Sequence, residues 1–156
     1  MFHHEKLTVY QHALAFAGWS QTLIESISKE TSTRDHLERA GDSIALNIAE
    51  GNGKFSRKDR ARFFQIAHGS ALECAACLDL FVARRCCEAA AIIEGKAILE
   101  EILRMLFKIL DQLGCRVAED CSDYGVVMER LAQQMDKEEE GRGRESERTR
   151  YSEQDQ

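Results

Sequence analysis

A cluster of basic residues near the middle of the chain is the feature of this sequence best suited to binding chemistry. The segment KFSRKDRAR carries five cations and one carboxylate, Asp59, which leaves a local charge of +4. Lys and Arg side chains at this density neutralise phosphate groups, so the segment is a candidate nucleic-acid contact. A solvated helix face without a ligand is the alternative reading. The five candidate contact residues are Lys54, Arg57, Lys58, Arg60 and Arg62.

A pair of cysteines, Cys74 and Cys77, has the C-x-x-C spacing that also occurs in zinc sites. A zinc site needs a second matched pair, and the other cysteines, at 86, 87, 115 and 121, do not supply one. Positions i and i+3 share one helix face, which here is apolar, so the pattern favours small buried thiols. We therefore predict no metal site and no redox role.

Catalytic groupings are not evident in the sequence. It contains no Glu-x-x-His, which di-iron bundles require, and no G-x-S-x-G, P-loop or dinucleotide fingerprint. His68, in the middle of a predicted helix, is interpreted as a packed or surface histidine rather than a general base. We therefore predict no catalytic residues, no cofactor and no enzymatic activity.

Four amphipathic helices are predicted to position these residues. Apolar residues recur at steps of three and four over about 8–29, over about 33–50, from 56 to the segment ARRCC, and over about 88–113. The predicted core stripes are Leu37, Ala40, Ile44, Ala45 and Ile48 in the second helix, Phe63, Ile66, Ala67, Ser70, Cys74, Cys77, Leu78 and Phe81 in the third, and Leu99, Ile102, Leu103, Leu106, Leu110 and Leu113 in the fourth. Gly51 is predicted to end the second helix in a left-handed conformation, Ser56 and Asp59 to cap the third, and Gly114 to end the fourth. Because the connections are short, the helices should form an all-α, up-down-up-down four-helix bundle over residues 1–115.

The C-terminal part of the chain differs in composition from the rest. The net charge is −6, of which −1 falls in 1–115 and −5 in 116–156. Residues 116–135 are compatible with a short helix in YGVVMERLAQQM, and residues 136–156 are predicted to be a disordered charged tail. The N-terminus does not resemble a signal peptide, and no apolar run approaches the ~20 residues of a membrane span. We expect a cytoplasmic protein with free thiols and no membrane partner.

Several polar and small residues stand on or beside otherwise apolar helix faces. They form either a small hydrogen-bonded network or part of the surface. Glycine inside a helix costs about 1 kcal/mol relative to alanine, so Gly69 and its neighbour Ser70 predict a close helix crossing. The residues assigned to the structure of this corner or to a subunit interface are Arg39, Asn47, Glu50, Gly51, Gly69, Ser70 and Glu73.

Two segments, LTVYQHALAFAG and ERAGDSIALNIAEGNGKFSRKDRARFFQIAHGSALE, resemble the four-helix-bundle proteins encoded in 23S rRNA intervening sequences, also called ribosomal protein S23-like. The resemblance extends from about Lys6 to Leu113. It implies a left-handed bundle assembled as a homopentamer, with no enzymatic activity established. It also implies relatedness to accessory proteins of diversity-generating retroelements, which bind reverse transcriptase and nucleic acid.

The sequence departs from that family pattern at Gly41 and Asp42 and in its acidic C-terminal extension, which weakens an inference of strong nucleic-acid binding. The leading hypothesis is a non-enzymatic, oligomeric interaction module whose basic corner contacts RNA or an RNA-handling protein such as reverse transcriptase. The alternative is a purely structural or protein-binding homo-oligomer without a nucleic-acid role.

Overall fold

A computed structural model describes residues 2–27 and 32–115. A short 3-10 helix, His4–Lys6, precedes α1, Thr8–Ser26. Helix α2 covers Ser32–Gly53 and α3 covers Arg57–Ala83. A second 3-10 helix, Ala89–Ile92, runs directly into α4, Ile93–Gln112. The predicted residues 116–135 and 136–156 lie outside the described residues.

The four helices pack as the sequence predicted, each against its neighbours around a ring. Helices α2 and α3 share the most extensive contact, and α1 packs on α2, α3 on α4, and α1 on α4. This arrangement brings the ends of α2 and α4 beside the beginning of α3. The all-α, four-helix architecture is confirmed, and all regular structure within the described residues is helical.

The core is lined by one apolar stripe from each helix. In α2 the predicted residues Leu37, Ala40, Ile44, Ala45 and Ile48 are all buried. Burial of each large aliphatic side chain, Leu37, Ile44 and Ile48, contributes roughly 1.5–3 kcal/mol, so this stripe determines which face of α2 turns inward. The α4 stripe is confirmed at Leu99, Ile102, Leu106 and Leu110, whereas Leu103 and Leu113 are only half-buried.

The predicted core stripe of α3 is wrong at two positions. Phe64, not Phe63, is fully buried, and Ile66 is 41% exposed. The sequence FFQIAH places apolar residues on two adjacent faces, so periodicity alone did not separate them. Phe63 instead lies at the α2–α3 edge, where its Cβ faces Gly51.

The boundary between α2 and α3 also differs from the prediction. Helix α2 continues to Gly53, and Gly51 is a buried helical residue rather than a left-handed terminal one. A Cβ on Gly51 would lie only 3.0 Å from Phe63 Cβ and 3.4 Å from the carbonyl oxygen of Arg60. Gly51 is therefore required for close approach of α3, not for backbone reversal.

Other boundaries agree more closely. The Ser56 hydroxyl accepts a hydrogen bond of 3.4 Å from the Asp59 amide, which confirms the predicted N-cap of α3. Gly114 has a φ of 77°, as expected for a stop after α4. Helix α1 ends at Ser26, earlier than predicted, and the predicted end at residue 29 lies outside the described residues.

Helices α1 and α4 meet through Trp19 and Gly95. The indole ring of Trp19 lies against the backbone of Gly95, where any Cβ would overlap the ring. Phe16 packs beside the indole, with ring centroids 5.7 Å apart. The absence of a side chain on Gly95 lets α1 and α4 approach with an aromatic ring between them.

By length and composition alone, α3 could cross a membrane; no other helix within the described residues could. The sequence expectation concerned a continuous apolar run, and in α3 Glu73 and Asp79 interrupt such a run although the mean hydropathy is high. Core helices of globular proteins meet the same criterion, and α3 packs against α2 and α4. One such helix is therefore weak evidence for a membrane span.

Candidate functional site at the corner between α2 and α3

The corner that carries the cationic segment is held tightly. Only three residues, 54–56, separate α2 from α3. The Lys54 amide donates a hydrogen bond of 3.2 Å to the Gly51 carbonyl, and the Arg60 amide donates one of 2.9 Å to the Ser56 carbonyl. Because both ends of the connection are bonded to helix backbone, side chains on it are presented in a defined place.

Lys54, the first predicted contact residue, already has partners within the chain. Its ammonium lies 2.9 Å from Glu50 Oε1, one helical turn earlier, and 4.7 Å from the centroid of the Phe63 ring. An exposed i, i+4 ion pair contributes only roughly 0.3–0.5 kcal/mol, so a phosphate could displace it. Lys54 is nonetheless less available than its neighbours.

Three of the predicted cations are exposed: Arg57, Lys58 and Arg62. None of them forms an ion pair with a carboxylate among the described residues. Lys58 and Arg62 are four residues apart and therefore share one face of α3. They form an unpaired positive stripe at the start of the helix.

Arg57 lies toward α4 rather than on that stripe. Its guanidinium donates a long hydrogen bond, 3.5 Å, to the carbonyl of Gln112, the last residue of α4. The C-terminus of a helix carries partial negative charge, which favours a nearby cation. This contact explains why a cation is tolerated in the first turn of α3, where the macrodipole of α3 itself opposes it.

Arg60 is the predicted contact residue least suited to that role. It is half-buried, and its Nε is buried without a hydrogen-bond partner among the described residues. The five cations that are clustered in sequence are therefore divided in space. Arg57, Lys58 and Arg62 face solvent, Lys54 is paired, and Arg60 is partly enclosed.

A chain of hydrogen bonds crosses the α2–α3 contact beside this corner. The Asn47 amide donates to the Ser43 carbonyl at 2.7 Å and to the Ser43 hydroxyl at 3.0 Å. The Ser43 and Ser70 hydroxyls are 2.8 Å apart, and Ser70 donates to the Ile66 carbonyl at 3.0 Å. Because the Ser70 hydroxyl donates its proton to the Ile66 carbonyl, the Ser43 hydroxyl must donate to Ser70. The donors therefore follow one another in the order Asn47, Ser43 and Ser70.

The polar residues assigned to a single network fall into three separate sets. Asn47 and Ser70 belong to the hydrogen-bond chain described above, and Glu50 pairs with Lys54. Glu73 lies 3.5 Å from His36 Nδ1, and Arg39 Nη2 lies 3.3 Å from the same nitrogen. Sequence reasoning did not assign Ser43 a partner, although the i, i+4 spacing of Ser43 and Asn47 was a signal for it.

The predicted close helix crossing at Gly69 does not occur within the described chain. Gly69 is exposed, and a Cβ placed on it would have no atom within 4 Å. Its neighbour Ser70 is buried against α2 and does lie at a helix contact. Packing within the described part of this chain therefore does not explain why residue 69 is glycine.

Cys74 and Cys77 are both buried and free, in agreement with the interpretation as core thiols. Burial, with smaller effects of Cys77 and Glu73, raises the pKa of the Cys74 thiol far above its ordinary value. Burial also raises the pKa of Cys77 and lowers that of His68. Among residues 2–27 and 32–115, no group of three or more side chains is arranged to hold a metal ion.

Sequence reasoning missed Phe55 as a surface feature. Its side chain is fully exposed, at 103% of the reference value, although phenylalanine is apolar. It lies between Lys54 and the capping residue Ser56 in the short connection. Its position outside the periodic stripes of both helices was the available signal.

The fold and the corner together define a small all-α bundle with a cationic surface at one end. Comparison with known proteins identifies the family: the chain belongs to the 23S rRNA-intervening sequence protein family, whose model matches residues 5–108. This confirms the resemblance noted from the two sequence segments. No curated protein matches the chain.

A solved structure supports the same assignment. It is the crystal structure of a protein with unknown function from the S23 ribosomal protein family of Bacteroides thetaiotaomicron VPI-5482. The two chains are 25% identical and superpose with a TM-score of 0.63, covering 66% of this chain and 98% of the other. Neither comparison indicates an enzymatic family, and the suggested relation to retroelement accessory proteins stays a prediction.

Proposed function

We propose that this protein is a non-enzymatic, oligomeric interaction module that contacts RNA through the corner between α2 and α3. The observation that carries the proposal is the exposed set of Arg57, Lys58 and Arg62, none of which pairs with a carboxylate in the described chain. Cations without a carboxylate partner can neutralise phosphates, and the hydrogen-bonded corner positions them.

The expected interaction of one subunit is weak. If three cations each neutralise one phosphate of a single strand, log K should fall with log salt with a slope of about −2. Several copies of the corner in one oligomer would raise the apparent affinity, because the later contacts become intramolecular. Oligomerisation is therefore part of the proposal.

A binding experiment across a salt series tests the RNA contact. A variant with Arg57, Lys58 and Arg62 changed to Ala should lose most of its affinity for RNA and most of its salt dependence. The matched control removes the same charge by changing Arg39, Arg85 and Arg104 to Ala, because these exposed cations lie elsewhere on the surface. Equal losses in both variants, or affinity that does not depend on salt, would contradict a specific role of the corner.

A second candidate function, a structural homo-oligomer without RNA, is favoured by the outer face of α3. Ile66 and Leu80 are 41% and 42% exposed, and Gly69 lies between them without any neighbour in the described chain. A small residue flanked by apolar side chains suits the close approach of another helix. If light scattering gives the mass of a monomer at micromolar concentration, this second candidate is wrong. The same result would contradict RNA binding by several corners of one oligomer.

A further inference from the structure

Phe55 is the most exposed large apolar residue in the described chain. Phenylalanine usually buries 150–250 Å² on folding, and neither α2 nor α3 covers this ring. The residues around it are not apolar: Lys54 precedes it, and Arg57 and Lys58 follow within three positions. The exposed ring is therefore flanked along the chain by cations, of which Arg57 and Lys58 have no carboxylate partner among the described residues.

The backbone that carries Phe55 is anchored on both sides. The amide of Lys54 is bonded to the end of α2, and Ser56 caps α3 through the Asp59 amide at 3.4 Å. An aromatic ring with two side-chain torsions on a fixed backbone loses little conformational freedom when it binds. Such a ring can act as a platform at small entropic cost.

We propose that Phe55 stacks on an unpaired base of single-stranded RNA while Arg57 and Lys58 contact the flanking phosphates. This inference rests on the proposed function and specifies its substrate class. Exposed aromatic rings beside cations recognise single strands, because the bases of a duplex are already stacked and its deep major groove excludes side chains. The corner should therefore prefer single-stranded RNA over a duplex of equal charge.

The charge around Phe55 favours a nucleobase over a second copy of this chain as the occupant. A copy would have to bring compensating carboxylates to Arg57 and Lys58, whereas an RNA strand brings a phosphate with every base. Stacking requires only a π face, so the preference should not depend strongly on base identity. A subunit contact through Phe55 is the outcome of the test that opposes the proposal.

The test compares three labelled probes: a short oligouridine, a sugar–phosphate strand of the same length without bases, and an RNA duplex. The wild-type protein should bind the oligouridine most tightly. F55A should bind the oligouridine roughly fivefold or more weakly than the wild type does, since one stacked base is lost. F55A should also bind the oligouridine no more tightly than it binds the abasic strand. F55W should retain the preference, and the salt dependence of F55A should equal that of the wild type because no charge is removed.

The control variant is I93A, because Ile93 is 66% exposed but lies at the start of α4, away from the corner. Unchanged binding by F55A, with RNA binding by the wild type intact, overturns the stacking inference and leaves the proposed function standing. A wild-type protein that binds none of the probes overturns both. A smaller assembly mass for F55A in light scattering identifies Phe55 as a subunit contact and also overturns the inference.

Discussion

Replacing Gly95 with alanine should loosen the packing of α1 against α4. Gly95 is buried under the indole ring of Trp19, and a Cβ there would overlap three atoms of that ring. Alanine favours a helix over glycine by about 1 kcal/mol, while inserting an extra group into a packed contact typically costs about 1–3 kcal/mol. The net expectation is a free energy of unfolding lowered by roughly 0–2 kcal/mol.

G69A is the matched control for this substitution. Gly69 is also helical, but a Cβ there would meet nothing within 4 Å, so only the helix propensity changes. G69A should therefore stabilise the protein by up to about 1 kcal/mol, and the two variants should differ by roughly 1–3 kcal/mol. A G69A variant that is less stable would show instead that a second copy packs on the outer face of α3.

Urea denaturation followed by tryptophan fluorescence measures both variants. Trp19 is the only tryptophan in the sequence, so its emission reports directly on the contact with Gly95. The curves should be recorded at several fixed protein concentrations, because oligomerisation adds to apparent stability. If G95A is as stable as G69A and its native emission is unchanged, the indole does not lie on Gly95 and the reasoning is refuted.

Three further predictions concern the same bundle. S43A and S70A should each lower the free energy of unfolding by about 1 kcal/mol, and a double-mutant cycle should show coupling, because their hydroxyls are 2.8 Å apart. R85G should raise the free energy of unfolding by about 1 kcal/mol, since Arg85 has a φ of 55°, which glycine adopts without strain. An unchanged melting temperature of R85G would argue against backbone strain at this position. The raised pKa of Cys74 stabilises the fold fully below the ordinary thiol value of 9.0, and this contribution declines as pH rises above it. Unfolding curves of the wild type and C74A should therefore converge above pH 9.0, and parallel pH profiles would contradict the assignment.

The sequence alone determined that the chain forms four helices and which face of α2 and α4 turns inward. Each of those helices has one apolar stripe at steps of three and four, so only one orientation buries it. Ser56 and Gly114 also act locally, through a hydroxyl and a left-handed conformation, and both were predicted. Local signals of this kind depend on residues close in sequence and not on the identity of the partner helix.

The tertiary structure decided what depends on neighbouring helices. Phe63 and Phe64 are adjacent and equally apolar, and only the packing of the helices buries Phe64 and leaves Phe63 half-buried at the edge. Gly51 is explained by the closeness of α3, which no pattern within α2 reports. Five cations clustered in sequence became three exposed, one paired and one enclosed, because helical rotation of 100° per residue directs neighbours to different sides.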